Sequence, residues 1–325
     1  MSSLEQIWYQ SQKQPPLWSK LLEPVFRSLS SARRRLYRSQ RLSVYRAPVP
    51  VIVVGNISVG GSGKTPLVIW LVEMLREAGY KPGVISRGYG GQAKQYPLKV
   101  RAKTPVQECG DEPLLISRRT GVPLVVDPKR GRAAEYLLQQ YKVDVIISDD
   151  GLQHYALARD IELAVVDGER RFGNGRCLPA GPLREPLSRL AEVDFIINNG
   201  GRESGEVSMK LIMGGAWQLT HPQHLRAVET FDEGTHALAG IGHPERFFRQ
   251  LEKCGINIHR HPFPDHHTYR PLDLPADGEI LMTEKDAVKC LSFAADNAWA
   301  VSVQAQLPDE FRESLLALIA EKAKD

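Results

Sequence analysis

The chain has 325 residues, of which 42% are hydrophobic and 25% are charged, and its formal net charge is +4. This is the composition of an ordinary globular protein of about two domains, so a disordered chain or one small disulfide-stapled module is excluded. The four cysteines are far apart and form no CxxC pair, which argues against a structural zinc cluster and favours a reducing compartment.

No run of apolar residues approaches the 18 to 20 or so that a membrane-spanning helix needs. The first residues, MSSLEQIW, have no basic patch followed by an apolar segment and a cleavage site, so a signal peptide is not expected. The sequence therefore predicts a protein of the cytoplasm or of its membrane surface.

The positive charge is concentrated in a leader segment, residues 1–46, which carries about +7 while the rest of the chain carries about −3. After Pro16, apolar residues recur at helical spacing: Trp18, Leu21, Leu22, Val25, Phe26 and Leu29. An apolar stripe followed by an arginine run is typical of a helix in the headgroup region of an anionic membrane. A helix packed on the protein's own core, with its basic face in water, is the alternative. Nucleic acid is not an expected partner, because no binding motif continues beyond the leader.

Short apolar runs follow the leader, separated by segments of helical period. They are Val51–Val54, Gly83–Ser86, Pro123–Asp127, Val143–Asp149, Ile161–Asp167 and Val193–Asn198. Continuous apolar runs predict strands that are covered on both faces, so residues 47–213 are predicted to form a parallel α/β domain. After Gly214 and Gly215, a second α/β pattern predicts a smaller domain at residues 214–325, with a charged helix from Pro308 onward.

The strongest motif is VIVVGNISVGGSGKTP, residues 51–66, in which an apolar strand, a Gly-rich turn and a Lys-Thr pair precede a helical run. This is a P-loop in its required context, although Ser58 replaces the usual first glycine. Backbone amides of such a loop surround phosphate oxygens, Lys64 reaches the β- and γ-phosphates, and the Thr65 hydroxyl binds Mg²⁺. The predicted nucleotide-binding residues are Asn56, Ser58, Gly60, Gly61, Ser62, Gly63, Lys64 and Thr65.

A second strand, VDVIISDD at residues 143–150, ends on two carboxylates. Open α/β sheets bind ligands at this end of their strands, and Asp149 or Asp150 is therefore predicted to hold Mg²⁺, directly or through water. A simple strand-end turn before Gly151 is the structural alternative. Together with the P-loop, the pattern predicts an enzyme or switch that uses a Mg²⁺-nucleotide complex.

Seven motifs follow one another along the chain: GNISVGGSGKTP (55–66), SRGYGG (86–91), GDEP (110–113), DDGLQH (149–154), RRFGNGRCLPAGPLREP (170–186), FPDHHTY (263–269) and TEKDAVK (283–289). In this order they resemble one family, the tetraacyldisaccharide 4′-kinases of lipid A biosynthesis. The resemblance implies transfer of the ATP γ-phosphate to the 4′-hydroxyl of an acylated glucosamine disaccharide 1-phosphate, which yields lipid IVA. It also implies a peripheral, monotopic enzyme on the cytoplasmic face of the inner membrane.

The resemblance assigns roles to the remaining motifs. Asp111 is the expected base for the sugar hydroxyl, Glu112 a metal-binding or orienting carboxylate, and His266 the residue that assists the base from the second domain. On the residues alone, the triplet Asp265-His266-His267 is equally a metal site or a turn cap. The arginines expected at the substrate phosphate or the transferring phosphoryl group are Arg87, Arg171 and Arg184.

A competing hypothesis is a P-loop nucleotide switch or a metallochaperone that uses its histidines as metal carriers. The absence of CxxC and of a guanine-reading NKxD motif argues against it. The TEKD segment at residues 283–286 has the wrong spacing for NKxD and is predicted to be a loop that structures the second domain near the cleft.

Overall fold

The strand before the P-loop is buried on both faces because Val51, Ile52, Val53 and Val54 are all apolar. In the computed structural model, which describes residues 7–9 and 14–323, this strand lies inside a mainly parallel sheet. The expectation that no signal peptide is present depends mostly on residues 1–6, which lie outside the described residues. Lys13, which contributes to the predicted charge of the leader segment, also lies outside them.

Helices and strands alternate over most of the chain. The helices are α1 (Leu17–Arg38), α2 (Lys64–Glu77), α3 (Val106–Cys109), α4 (Asp111–Thr120), α5 (Arg130–Gln140), α6 (Pro244–Lys253), α7 (Glu284–Cys290) and α8 (Asp309–Lys322). The strands are β1 (Val51–Gly55), β2 (Pro82–Ser86), β3 (Leu98–Val100), β4 (Leu124–Val126), β5 (Val145–Asp149), β6 (Ile161–Asp167), β7 (Phe195–Asn199), β8 (Val207–Gln218), β9 (Leu225–Arg226), β10 (Thr235–Ala239), β11 (Ile258–Pro262), β12 (Ile280–Thr283) and β13 (Ala298–Gln306). Short 3-10 turns lie at Leu187–Glu192, Val228–Thr230 and Pro271–Asp273.

Hydrogen bonds join the described strands in the order β11-β10-β12-β13-β8-β7-β6-β1-β5-β2-β4-β3, and β9 pairs with β8. The run from β4 to β8 is parallel, and β3 is added to its edge in the antiparallel direction. Beyond the antiparallel pair of β8 and β13, strands β12, β10 and β11 are again parallel. The predicted α/β class, with a P-loop sheet and a further α/β part, is confirmed.

Strand β8 runs through the position at which the sequence predicts a domain boundary. Gly214 and Gly215 lie inside this strand, where the first of them faces Ser302 of β13 so closely that a Cβ would collide with the Ser302 hydroxyl. The two glycines therefore permit a close approach of backbones rather than mark a linker. The division into residues 47–213 and 214–325 stays a prediction.

The last helix also crosses the predicted division. The ring of Phe311 on α8 lies 5.8 Å from that of Trp70 on α2 and 5.0 Å from that of Phe195 on β7, centroid to centroid. Leu315 and Ile319 continue the same apolar face into the core around the P-loop helix. The C-terminal helix thus stabilises the P-loop part of the molecule, although it follows the second set of strands in the sequence.

Candidate active site

The P-loop turn takes its shape from two glycines with left-handed backbone angles. Gly60 has φ of 100° and Gly63 has φ of 95°, which residues with a Cβ rarely adopt. A Cβ at Gly63 would also collide with the side-chain amide of Asn199. Helix α2 begins directly afterwards at Lys64, so its free amide groups and the Lys64 ammonium face the same turn.

The side-chain amides of Asn56 and Asn199 fix the conformation of this loop by hydrogen bonds. The Asn56 amide donates to Gly60 O at 3.3 Å and to Ser62 Oγ at 3.2 Å, and the Asn199 amide donates to Ser62 O at 2.9 Å. Asn56 and Ser62 therefore shape the loop from inside, which is consistent with their predicted place in the nucleotide site. Ser58 forms an isolated bridge with Leu183, so the 170–186 motif pairs along the outer edge of the loop.

Asp150 lies among cations. Its carboxylate is 3.5 Å from Lys64 Nζ and 3.2 Å from an Arg184 guanidinium nitrogen, and its backbone has φ of 47°. Burial acts to raise the pKa of Asp150, but Lys64 and Arg184 outweigh it and hold the pKa far below its usual range. The structure thus gives Asp150 the geometry of a lysine-orienting carboxylate, while its role as a metal ligand stays a prediction.

Asp149 differs sharply from its neighbour. Ser86 Oγ donates to Asp149 Oδ2 at 3.0 Å, whereas the other carboxylate oxygen is buried and finds no hydrogen-bond partner among the described residues. Burial, followed by the charges of Glu112 and Asp150, raises the pKa of Asp149 well above its usual value. A cation bound at the free oxygen would satisfy it and reverse this effect.

A metal at this position fits the donor set. Mg²⁺ keeps several waters and takes only one or two protein carboxylates together with phosphate oxygens, so a closed protein cage is not required. Among the described residues no group of three or more His, Cys, Asp and Glu side chains is arranged as such a cage. The Thr65 hydroxyl and the unpartnered Asp149 oxygen are oxygen donors of the kind that Mg²⁺ takes, and Glu112 lines the same cavity as Thr65. Their role as metal ligands stays a prediction.

Sequence reasoning missed Arg130, which lies beneath the two aspartates. Its fully buried guanidinium donates to the main-chain oxygen of Asp149 at 2.6 Å and of Asp150 at 3.3 Å. Burial lowers the pKa of Arg130 to about 10, which leaves it charged at neutral pH. The sequence offered one indication of this role, because Arg130 lies in DPKRGR directly after a predicted buried strand. Charged residues at such a position usually face solvent, so the sequence alone did not single it out.

Asp111 and His266 form a pair across the molecule. Asp111 begins helix α4 after Gly110, and His266 lies in the loop after β11 with φ of 58°. His266 Nδ1 and Asp111 Oδ2 are 3.0 Å apart, although the residues are separated by 155 positions in the sequence. The ring of Tyr89 lies 4.8 Å from the imidazole and covers one side of the pair.

This contact changes the proton affinity of both groups. Burial acts to raise the pKa of Asp111, but the hydrogen bond with His266 and the charge of Lys285 outweigh it and lower the pKa to about 2. Burial acts to lower the pKa of His266, and the hydrogen bond with Asp111 reverses that effect and raises it. An ionised carboxylate beside an imidazole of raised pKa can orient the ring and accept a proton through it.

We expect Asp111→Asn to lower the pKa of His266, because the substitution removes the negative charge that stabilises the protonated imidazole. Titration of the His266 ring resonances by NMR measures this pKa directly. The exposed His221, which lies far from Asp111 in sequence and faces Asp296, is the internal control. An unchanged His266 pKa in a folded Asp111→Asn protein would contradict the observed pairing.

Two cavities lie at the neighbouring residues Asp111 and Glu112. One, of about 190 Å³, is lined by P-loop residues 61–65, Glu112 and, from the second part, residues 241–243 and 283–285. The other, of about 300 Å³, is lined by Asp111, His266 and Tyr89. The neighbouring carboxylates Glu112 and Asp111 on helix α4 therefore line different cavities, one at the P-loop and one at the Asp111–His266 pair.

The sequence profile of the tetraacyldisaccharide-1-P 4′-kinases (LpxK) matches residues 17–320. The chain belongs to this family. A tetraacyldisaccharide 4′-kinase from Aeromonas salmonicida is 51% identical over 321 residues, with 96% of this chain and 95% of the relative covered. The corresponding kinase from Vibrio parahaemolyticus is 49% identical over 327 residues, with 98% and 97% covered.

A solved structure shares the fold. The crystal structure of LpxK from Aquifex aeolicus in complex with ATP matches with a TM-score of 0.77 and 26% sequence identity. The match covers 92% of this chain and 98% of the Aquifex chain. These matches confirm the family resemblance of the sequence motifs, and nothing in them supports the competing switch or metallochaperone hypothesis.

The three arginines that are predicted to bind the substrate phosphate or the transferring phosphoryl group lie in different surroundings. Arg87 is exposed and makes no hydrogen bond or ion pair with any described residue. Arg171 forms two hydrogen bonds with Glu206, at 2.7 and 2.8 Å, and Arg184 pairs with Asp150. Only Arg87 is free for an incoming phosphate as the structure stands, and the substrate roles of all three stay predictions.

The leader helix of this kinase-family chain turns its apolar side outward. Leu17, Trp18, Leu21, Leu22, Val25 and Leu29 are all between 49% and 78% exposed. The opposite side of the helix contacts the rest of the protein. There Glu23 accepts hydrogen bonds from Arg176 and from the Cys177 amide, and Arg38 forms an ion pair with Glu192. Within the described residues no helix has the length and apolar character to cross a membrane.

Phe26 departs from the predicted stripe. Its ring is half-buried against the core cluster that includes Ala133 and Leu152, so the expectation that Phe26 enters the headgroup layer is wrong. The reason is helical phase, because Phe26 follows Ser19 and Glu23 on the inner side at spacings of four and three residues. The exposed stripe therefore consists of the other apolar residues alone.

Proposed function

We propose that this chain transfers the γ-phosphate of ATP to the 4′-hydroxyl of a tetraacylated glucosamine disaccharide 1-phosphate, giving ADP and lipid IVA. The observation that carries the proposal is the Asp111–His266 pair, held at 3.0 Å, in which Asp111 directly precedes Glu112 of the P-loop cavity. A phosphate-binding loop alone fits many nucleotide enzymes. A carboxylate and an imidazole next to it fit one that activates a hydroxyl.

Each side chain has a defined task in this reaction. The acceptor oxygen attacks the γ-phosphorus while the bond to the β,γ-bridging oxygen breaks, and the hydroxyl proton passes to the Asp111–His266 pair. Lys64 and the loop amides stabilise the negative charge that develops on the phosphoryl oxygens. Asp150 orients the Lys64 ammonium from 3.5 Å away.

Mg²⁺ is the proposed cofactor, and when bound it neutralises phosphate charge. Thr65 and Asp149 are the proposed ligands, with Asp150 and Glu112 acting directly or through water. Arg130 helps to position Asp149 and Asp150 by donating hydrogen bonds to their main-chain oxygens. Arg87, Arg171 and Arg184 are the proposed partners of the acceptor 1-phosphate or of the transferring phosphoryl group.

The test is incubation of the purified protein with Mg²⁺-ATP and the disaccharide 1-phosphate, followed by location of the new phosphate by two-dimensional ³¹P–¹H NMR. A phosphate coupled to the proton at carbon 4′ is the expected result. Lys64→Ala protein prepared in parallel excludes a contaminating kinase. ATP hydrolysis without phosphorylation of the acceptor, or a phosphate at another carbon, would overturn the proposal.

We further propose that α1 docks on the anionic surface at the cytoplasmic face of the inner membrane, which makes the protein peripheral and monotopic. The exposed apolar stripe of α1 supplies the part that enters the headgroup layer. Each Lys or Arg near an anionic surface adds up to about 1 kcal/mol within a Debye length of about 8 Å, so the arginine run adds a few kcal/mol.

We expect 1 M NaCl to release the protein from anionic vesicles only in part, because the apolar contribution survives screening. Replacing Trp18 and Leu22 by aspartate should release it almost fully. The matched control replaces Leu225 and Leu272, which are 71% and 92% exposed outside the leader, and should leave binding unchanged. Vesicle sedimentation measures both. Equal binding of the leader variant and the control would identify α1 as a packing element.

A further inference from the structure

The TEKD segment has a structure that the sequence did not predict. Thr283 ends β12 and its hydroxyl accepts from the Asp286 amide, so the segment starts helix α7 rather than forming a loop. The reaction described above leaves Lys285 in this helix without a task. Its side chain is only 16% exposed, and its ammonium lies between the two parts of the active site.

Lys285 contacts the neighbours of both members of the catalytic pair. Its Nζ donates to Glu112 Oε1 at 3.1 Å and to Asp265 Oδ1 at 3.3 Å. Glu112 directly follows Asp111, and Asp265 directly precedes His266. One ammonium therefore links the segment that carries the carboxylate to the segment that carries the imidazole.

We propose that Lys285 is a positioning residue that keeps Asp111 and His266 aligned for proton transfer. The inference rests on the proposed kinase reaction, for which it names a further residue. Without the ammonium, the Glu112 and Asp265 carboxylates that share it lose their common partner and repel each other. Because one belongs to α4 and the other to a loop, that repulsion separates the elements that carry the pair.

A separate ion pair also joins α7 to α4. Glu284, which directly precedes Lys285, accepts two hydrogen bonds of 2.7 Å from Arg119 on α4. This pair attaches the helix without contacting Glu112 or Asp265, so the alignment that Lys285 provides is distinct from the general attachment of α7. Small displacements of Asp111 or His266 matter, because a shift of about 1 Å in a reacting group can cost about 100-fold in rate.

The Lys285–Glu112 and Arg119–Glu284 ion pairs join the same two helices and provide a matched comparison. Lys285→Met removes the ammonium at nearly the same side-chain length, and Arg119→Met removes the cation of the second pair. We expect Lys285→Met to lower kcat about 10- to 100-fold with the KM for ATP within twofold of wild type, and Lys285→Arg to restore most of the loss. Arg119→Met should lower the thermal midpoint but change kcat less than threefold.

A double-mutant cycle with His266 tests whether Lys285 acts by positioning the pair or has an independent role. In a His266→Ala background, Lys285→Met should cost less than threefold in kcat, because no aligned pair remains to be disturbed. If Lys285→Met is poorly folded, Asp265→Asn removes the other end of the contact and should give the same pattern.

Three results would overturn the inference. They are wild-type kcat in a folded Lys285→Met protein, an equal kcat loss in Arg119→Met, and the same fold-loss in both backgrounds. A raised KM for ATP at unchanged kcat would instead make Lys285 a phosphate contact. The proposed function fails differently, since then the wild-type protein would not phosphorylate the acceptor.

Discussion

Replacing Lys64 by alanine is expected to reduce phosphoryl transfer by about 10³-fold or more. Lys64 begins α2 directly after Gly63, and its ammonium lies 3.5 Å from Asp150, at the place proposed for the β- and γ-phosphates. Preorganised donors aimed at developing charge contribute about 10²- to 10³-fold each, and Lys64 carries a full charge. Turnover at saturating ATP and acceptor measures the loss.

The control for this substitution is Lys142→Ala, at an exposed lysine after helix α5, which should retain wild-type turnover. Asp150 keeps Arg184 as a partner when Lys64 is removed, so the thermal midpoint should fall only slightly. Full turnover in a folded Lys64→Ala protein would refute the assignment of the loop as the phosphate site.

Asp111→Ala and His266→Ala are each expected to lower kcat by about 10²- to 10⁴-fold while ATP binding persists. The two groups share one hydrogen bond and act on one proton, so the double variant should lose far less than the product of the single losses. Single-turnover kinetics with saturating ATP, together with nucleotide binding measured by calorimetry, separates the chemical step from binding.

The adjacent histidine is the natural comparison. His267 pairs with Asp273 at 3.2 Å rather than with Asp111, so His267→Ala should reduce kcat much less than His266→Ala. Multiplicative losses in the Asp111 and His266 double variant would mean that the two residues perform separate tasks.

Most of the sheet could be predicted because its strands are continuous apolar runs, which only a strand buried on both faces explains. Strand β8 was missed because its two glycines and alternating polar residues are typical of a linker, whereas its tight pairing with β13 depends on a partner about 90 residues away. The edge strand β3 is only three residues long and has no such run.

The P-loop could be predicted because its function is local: strand, turn, lysine and helix are contiguous. The Asp111–His266 pair could not be derived from spacing, since 155 residues separate its members, and only the family resemblance nominated it. Arg130 and Lys285 were missed because a buried charge and a solvated one are indistinguishable in a sequence until the fold supplies their partners.

The two sides of helix α1 respond differently to ionic strength. Glu23 is almost fully enclosed where it meets Arg176 and the Cys177 amide, whereas Arg38 and Glu192 form their contact in water near the other end of the helix. Moderate salt should therefore loosen one end while the Glu23 end stays attached, and the body would tilt about that end. If α1 docks on the membrane as proposed, turnover of acceptor in vesicles should depend on ionic strength before any protein leaves the bilayer, while turnover of acceptor dispersed in detergent should not.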